Sequence, residues 1–118
     1  MTKFVGAEYV IACLLIEKKR KGANYVSIDE LGEIGIRIQN MSNKEGFDAV
    51  FLTSRVQFFN AIYDFSDYFT CEFDSDNHVK GIALQKSKSI DDLEYRFMGY
   101  LPKDIFEFLS EKVKEYVA

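Results

Sequence analysis

Residues 47–73 read FDAVFLTSRVQFFNAIYDFSDYFTCEF, and the choice between helix and strand along this stretch decides the fold. It carries Phe47, Phe51, Phe58, Phe59, Tyr63, Phe65, Tyr68, Phe69 and Phe73, with Val50, Leu52, Val56 and Ile62 between them. A buried aromatic removes about 150 to 250 Å² from water, so the stretch is expected to be the centre of the core. Between Ser54 and Phe65 the helical period separates polar from apolar better than the strand period does. As a helix, Gln57, Asn60 and Asp64 fall on one narrow polar stripe, and Val56, Phe58, Phe59, Ile62, Tyr63 and Phe65 cover the rest. Ser54 followed three residues later by Gln57 also has the spacing of a capping box. The helix is therefore preferred, with Asp48–Thr53 before it open to either a buried strand or a helical turn.

Upstream, Phe4 to about Lys21 is helical in pattern and apolar on nearly every side through Ile16, which predicts a helix packed on more than one face. Its apolar run resembles the core of a signal peptide only superficially. Glu8 interrupts it, charges follow where a small-residue cleavage site belongs, and it is shorter than the roughly 20 residues of a membrane span. Gly22 stops it, and Lys18, Lys19, Arg20 and Lys21 complement the dipole of the last turn. A second capping box, Ser27 with Glu30, opens a helix to about Met41. Ile28, Leu31, Ile34, Ile38 and Met41 line one side of it, and Asp29, Glu30, Glu33, Arg37 and Asn40 the other. Gly32 and Gly35 lower its propensity by about 1 kcal/mol each relative to Ala, so another backbone is expected to approach there. An alternative ends this helix at Gly35 and starts a strand with Ile36 and Ile38.

Ser42–Gly46 reads as a polar loop. From Tyr68 the period becomes two, so Tyr68–Phe73 and Val79–Gln85 are expected as a hairpin around Asp74, Ser75, Asp76, Asn77 and His78. Leu93–Tyr100 reads as a third strand, with Leu93, Tyr95 and Phe97 opposing Glu94, Arg96 and Met98. Pro102 suits the first turn of a last helix whose buried face is Ile105, Phe106, Leu109, Val113 and Tyr116 or Val117. The sum is an α+β single domain over residues 1–118, about four helices on a small antiparallel hairpin or meander. A winged-helix arrangement is one member of that class, although the connection between the second and third helices is long for a helix-turn-helix.

The 118 residues suffice for a core without disulfides or metal, and 47% hydrophobic with 29% charged residues is ordinary for a globular chain. The net charge is −4 and lies in the second part: residues 56–118 hold seven Lys or Arg against twelve acids. That balance disfavours a broad nucleic-acid surface and favours a basic protein partner. Cys13 and Cys71 lack CxxC spacing and read as small buried hydrophobes in a reducing cytoplasm.

Asp74, Asp76 and His78 imitate the alternation of a calcium loop, but Val79 and Gln85 stand where that loop needs Gly and Glu. His78 is the only histidine and neither cysteine has an activating neighbourhood, so no catalytic set is expected. Paired Asp91 and Asp92 behind Ser89 read as capping a turn. No cofactor motif occurs.

Two functions follow as expectations. In the first, the chain is a small acidic protein-binding regulator or inhibitor. Asp64, Asp67, Glu72, Asp74 and Asp76 would form a face beside exposed aromatics and occupy a basic nucleic-acid-binding surface of a nuclease or defence protein. In the second, a winged-helix regulator binds DNA, with Gln57 and Asn60 reading base edges and Arg55, Lys80, Lys86 and Lys88 on phosphates. A homodimer is compatible with either reading, and a membrane partner with neither.

Overall fold

The innermost element is the first helix rather than the aromatic stretch. The computed structural model describes residues 3–44 and 48–118, so the expectations placed on Gly46 and Phe47 lie outside the described residues. Helix α1, Ala7–Arg20, buries Ala7 and every residue from Val10 to Glu17. A helix apolar all round must be covered on every side, and the helices at Arg55–Asp64, Ile90–Arg96 and Lys103–Val117 and the strand Tyr25–Ser27 all pack on this one. Gly22 ends it as expected, at φ 87°.

The chain continues as β2, Tyr25–Ser27, which turns directly into α2, Ile28–Lys44. The expected capping box forms: the Glu30 N–H donates to Ser27 Oγ at 3.0 Å and the Ser27 N–H to Glu30 Oε2 at 3.3 Å. Lys18 Nζ reaches the same Glu30 carboxylate at 2.8 Å, tying the end of α1 to the start of α2. The helix does not stop at Gly35, and residues 42–44, expected in a loop, belong to it. Of the two glycines, Gly35 meets a close approach, in which a Cβ would stand 2.8 Å from the Thr53 side chain and 3.3 Å from the expected neighbouring backbone, at Thr53 O. Gly32 faces open space instead.

Asp48–Thr53 resolves as a short strand, β3 (Ala49–Phe51), pairing in parallel with β1 (Lys3–Val5), Phe4 opposite Val50. Helix α3 spans Arg55–Asp64, and Ser54 Oγ accepts the Gln57 N–H at 3.3 Å, which is the cap half of the expected box without the return bond from the Gln57 side chain. The hairpin follows as β4 (Phe69–Phe73) and β5 (Val79–Leu84). β2 joins the far side of β5, giving an antiparallel sheet in the order β2-β5-β4. Val26, Ile82 and Phe69 are buried on its inner side. Gly81 is required on the other side, because a Cβ would lie 2.6 Å from the Tyr25 ring.

The expected third strand over Leu93–Tyr100 is not formed. Ile90–Arg96 is helix α4, followed by a 3-10 turn at Met98–Tyr100. Ser89 and Asp92 start it with a full capping box rather than a mere turn, and the hydrogen bonds from Ser89 hold the exposed Asp92 carboxyl below the usual carboxylate range. Leu93 and Phe97, four apart, lie on one face under either period, and the helix makes both fully buried. Phe97 is surrounded by the rings of Phe65, Tyr68, Phe69 and Tyr9, with centroids at 5.2, 5.4, 5.4 and 6.0 Å. Arg20 bridges Glu17 (2.6 Å) and Glu94 (2.7 Å), joining α1 to α4.

Helix α5, Lys103–Val117, begins immediately after Pro102. It buries Ile105, Phe108, Leu109 and Val113, whereas Phe106, expected on that face, is exposed. Among the described residues the chain forms a small α+β domain of five α-helices, a three-stranded antiparallel sheet and the parallel β1–β3 pair. Among the described residues no helix is long and apolar enough to cross a membrane.

Candidate functional site

The burial of Phe58, Ala61 and Ile62 against the core fixes which side of α3 faces out. That side carries Val56, Asn60 and Tyr63 at i, i+4 and i+7, flanked by Arg55 and Asp64. Val56 is 66% exposed and Tyr63 84%, although the helical reading grouped both with the apolar residues. Gln57, expected on the polar stripe, is half-buried. The Arg55 guanidinium lies 5.7 Å from the centroid of the Phe59 ring.

Helix α2 presents the facing wall. Asp29, Glu33, Ile36 and Asn40 share its outward side, and Ile36 is 61% exposed among those polar residues. Between the helices lies a hollow of about 450 Å³ with Ile28, Leu31, Gly32, Ile36 and Phe58 on its apolar wall and Asp29, Glu33 and Arg55 at its edge. Beyond Ile36 a second hollow of about 310 Å³ runs on past Gln39, Val50, Leu52 and Gln57. The Tyr116 hydroxyl donates to Glu33 Oε2 at 2.7 Å, so α5 holds the Glu33 carboxylate at the groove. Burial, that hydrogen bond and the nearby acids push the Tyr116 hydroxyl up to about 12, so it remains a donor at neutral pH.

The five expected partner-binding acids divide into separate groups. Asp64 ends α3 and Asp67 lies in the turn after it, both exposed. Asp74 and Asp76 stand at the hairpin tip, at the opposite end of β4, whose five residues span roughly 15 Å at the rise of a strand. Glu72, half-buried between them, lines a cleft of about 440 Å³ with Lys19, Lys86 and Lys88 on its rim. The expected base-reading residues Gln57 and Asn60 do share α3 with Arg55. Lys80 lies apart on β5, its ammonium 5.5 Å from the centroid of the Tyr25 ring, and Lys88 Nζ lies 4.8 Å from that of Tyr68.

At the tip, Asp74 Oδ1 accepts the N–H groups of Asp76 and His78 at 2.9 and 3.0 Å, and Asn77 adopts φ 64°. One carboxylate oxygen each of Asp74 and Asp76 and one ring nitrogen of His78 come within 4.8 Å of one another, all three residues exposed. The alternation that resembled a calcium loop thus does turn-forming work through Asp74. Burial, with the Glu17 charge added, pushes the Cys13 thiol up to about 12, so it stays protonated and a weak nucleophile at neutral pH. Burial raises Cys71 as well.

Sequence reasoning missed Ile36. Its signal was present: at the helical period an isoleucine falls on the stripe of Asp29, Glu33 and Asn40, where solvent alone would favour a polar residue. No protein-family model matches the chain, and comparison with curated proteins and with solved structures yields no significant match.

Proposed function

We propose that the chain is a small acidic regulator that binds another protein through the outward faces of α2 and α3, its target presenting a basic surface. The observation that carries this reading is the exposure of Ile36, Val56 and Tyr63 on two adjacent helices. Apolar and aromatic side chains grouped in this way suit the core of a protein interface, and they supply none of the positive charge that phosphate binding draws on. Asp29, Glu33 and Asp64 at the edge of the same face, with the net charge of −4, suit a partner rich in Lys and Arg, including one whose own ligand is nucleic acid. The experiment is affinity capture from nuclease-treated lysate with wild type and Tyr63→Ser side by side. One stoichiometric protein, released by salt and weakened by the substitution, is the expected result. Recovery of nucleic acid from a parallel untreated lysate, with no protein held in the treated one, would contradict it.

The order of elements favours a second reading, a winged-helix DNA-binding regulator. What supports it is β2 between the first two helices and the β4–β5 hairpin after the third, with strands in the order β2-β5-β4; β3, between the second and third helices, is an addition to the winged-helix order. In that reading α3 enters the major groove with Arg55, Gln57 and Asn60, and the hairpin is the wing carrying Lys80. Asp64 and Tyr63 beside Asn60 weigh against it. Specific DNA binding that falls when Arg55 and Lys80 become Ala would promote it over the first.

A further inference from the structure

We infer that the groove between α2 and α3 is the seat of an amphipathic helix contributed by the protein partner, basic along its α2 flank. This deepens the protein-binding reading and rests on it. Three observations select that occupant. The first is length: from Ile28 to Gln39 the groove follows α2 for about 17 Å at 1.5 Å per residue, which is three turns of a facing helix. The second is relief. Gly32 leaves open space where any other residue would place a Cβ, and the exposed Ile36 rises between the two hollows. A partner stripe at i, i+3 or i+4, and i+7 puts one side chain on each side of Ile36.

The third is charge. Asp29 and Glu33 stand one turn apart along the α2 edge, and the Tyr116 hydrogen bond to one Glu33 oxygen leaves that carboxylate oriented before any partner arrives. Arg55 on the α3 side reverses the sign. The partner helix is therefore expected to carry Lys or Arg toward α2 and an acid toward α3.

The test is selection of 16-residue helical peptides from a phage-displayed random library against the full chain, with depletion on the Ile36→Glu variant. A chosen peptide is then labelled with fluorescein and titrated by anisotropy. The expected consensus has an apolar stripe at i, i+3 or i+4, and i+7 with Lys or Arg on one flank. Ile36→Glu is expected to weaken the peptide at least about tenfold and Asp29→Lys, an exposed change that leaves the core alone, about fivefold.

Enrichment of no peptide that Ile36→Glu fails to bind would overturn the inference, as would an acidic or strand-patterned consensus. Sedimentation showing a dimer that Ile36→Glu dissociates would assign the groove to a second copy instead. If a captured protein partner is lost with Tyr63→Ser but kept with Ile36→Glu, the groove falls and the protein-binding reading stands. If only DNA is bound, both fall.

Discussion

Phe97 and Tyr63 are both aromatic, and the fold treats them oppositely. Phe97 is fully buried with four rings packed around it, whereas Tyr63 is 84% exposed with Val56 and Asn60 on the same stripe. The difference is one of position. Phe97 follows α4 where that helix turns against α1, and Tyr63 lies on the side of α3 that Phe58 and Ile62 leave outward. Density of aromatics in a sequence therefore does not locate the core. The densest stretch, 47–73, supplies the buried Phe51, Phe58 and Phe69 and also the exposed Tyr63 and Phe73.

The contrast is broken most forcefully from the buried side. Phe97→Ala is expected to cost about 3 to 5 kcal/mol in urea unfolding, because the four rings cannot all collapse into the space it leaves. A loss below about 1 kcal/mol would mean that the ring cluster is not what holds α4 in place. Gly35→Ala is next, with an expected loss of about 1 to 3 kcal/mol from the clash with Thr53 on β3's continuation. Arg20→Ala is expected to cost about 1 to 2 kcal/mol, mainly by leaving the buried Glu17 carboxylate without its partner, the exposed half of the bridge adding little.

A pH series sharpens the same side. The folded Cys13 thiol titrates at about 12 against an ordinary value of 9.0, so unfolding releases its proton more readily than the native state does. Folding stability attributable to Cys13 is thus fully present below pH 9 and is lost as pH rises toward 12. Tyr116, also raised to about 12 from 10.0, acts in the same direction over the upper part of that window. A Cys13→Ala variant is expected to flatten the decline in urea midpoints between pH 9 and the alkaline limit. An equally steep decline would place the pH dependence elsewhere.

The smallest effect reverses sign. Gly32→Ala meets open space in a regular helix and is expected to stabilise the chain by about 0.5 to 1 kcal/mol, three residues from the glycine whose replacement destabilises it. The same methyl narrows the groove, so gain of stability with loss of peptide affinity is the joint outcome. Unchanged affinity would place the partner elsewhere.

Local signals were legible where one side chain meets one backbone group. Ser27 with Glu30, Ser54 with Gln57, Gly22 after α1 and the polar hairpin tip all stand where spacing puts them. Structure made by distant pairing was not. β1 and β2 are three residues each and exist because Ala49–Phe51 and Gly81–Ala83 lie beside them. Leu93–Tyr100 misleads because Leu93, Tyr95 and Phe97 alternate as a strand would, while the deciding information sits upstream in Ser89 and Asp92. At the candidate site, Asn60 and Arg55 were identifiable as surface residues, but Val56 and Tyr63 belong to a helix apolar on too many sides for the outward one to be chosen locally.

The central claim is that the apolar surface of α2 and α3 serves binding and not folding. Its most direct test is urea unfolding of the Ile36→Ser, Val56→Ser double variant beside wild type. Stability within about 0.5 kcal/mol of wild type, the range of ordinary surface changes, is the predicted result. A loss of about 2 kcal/mol or more would contradict it, because it would show that these side chains belong to the core.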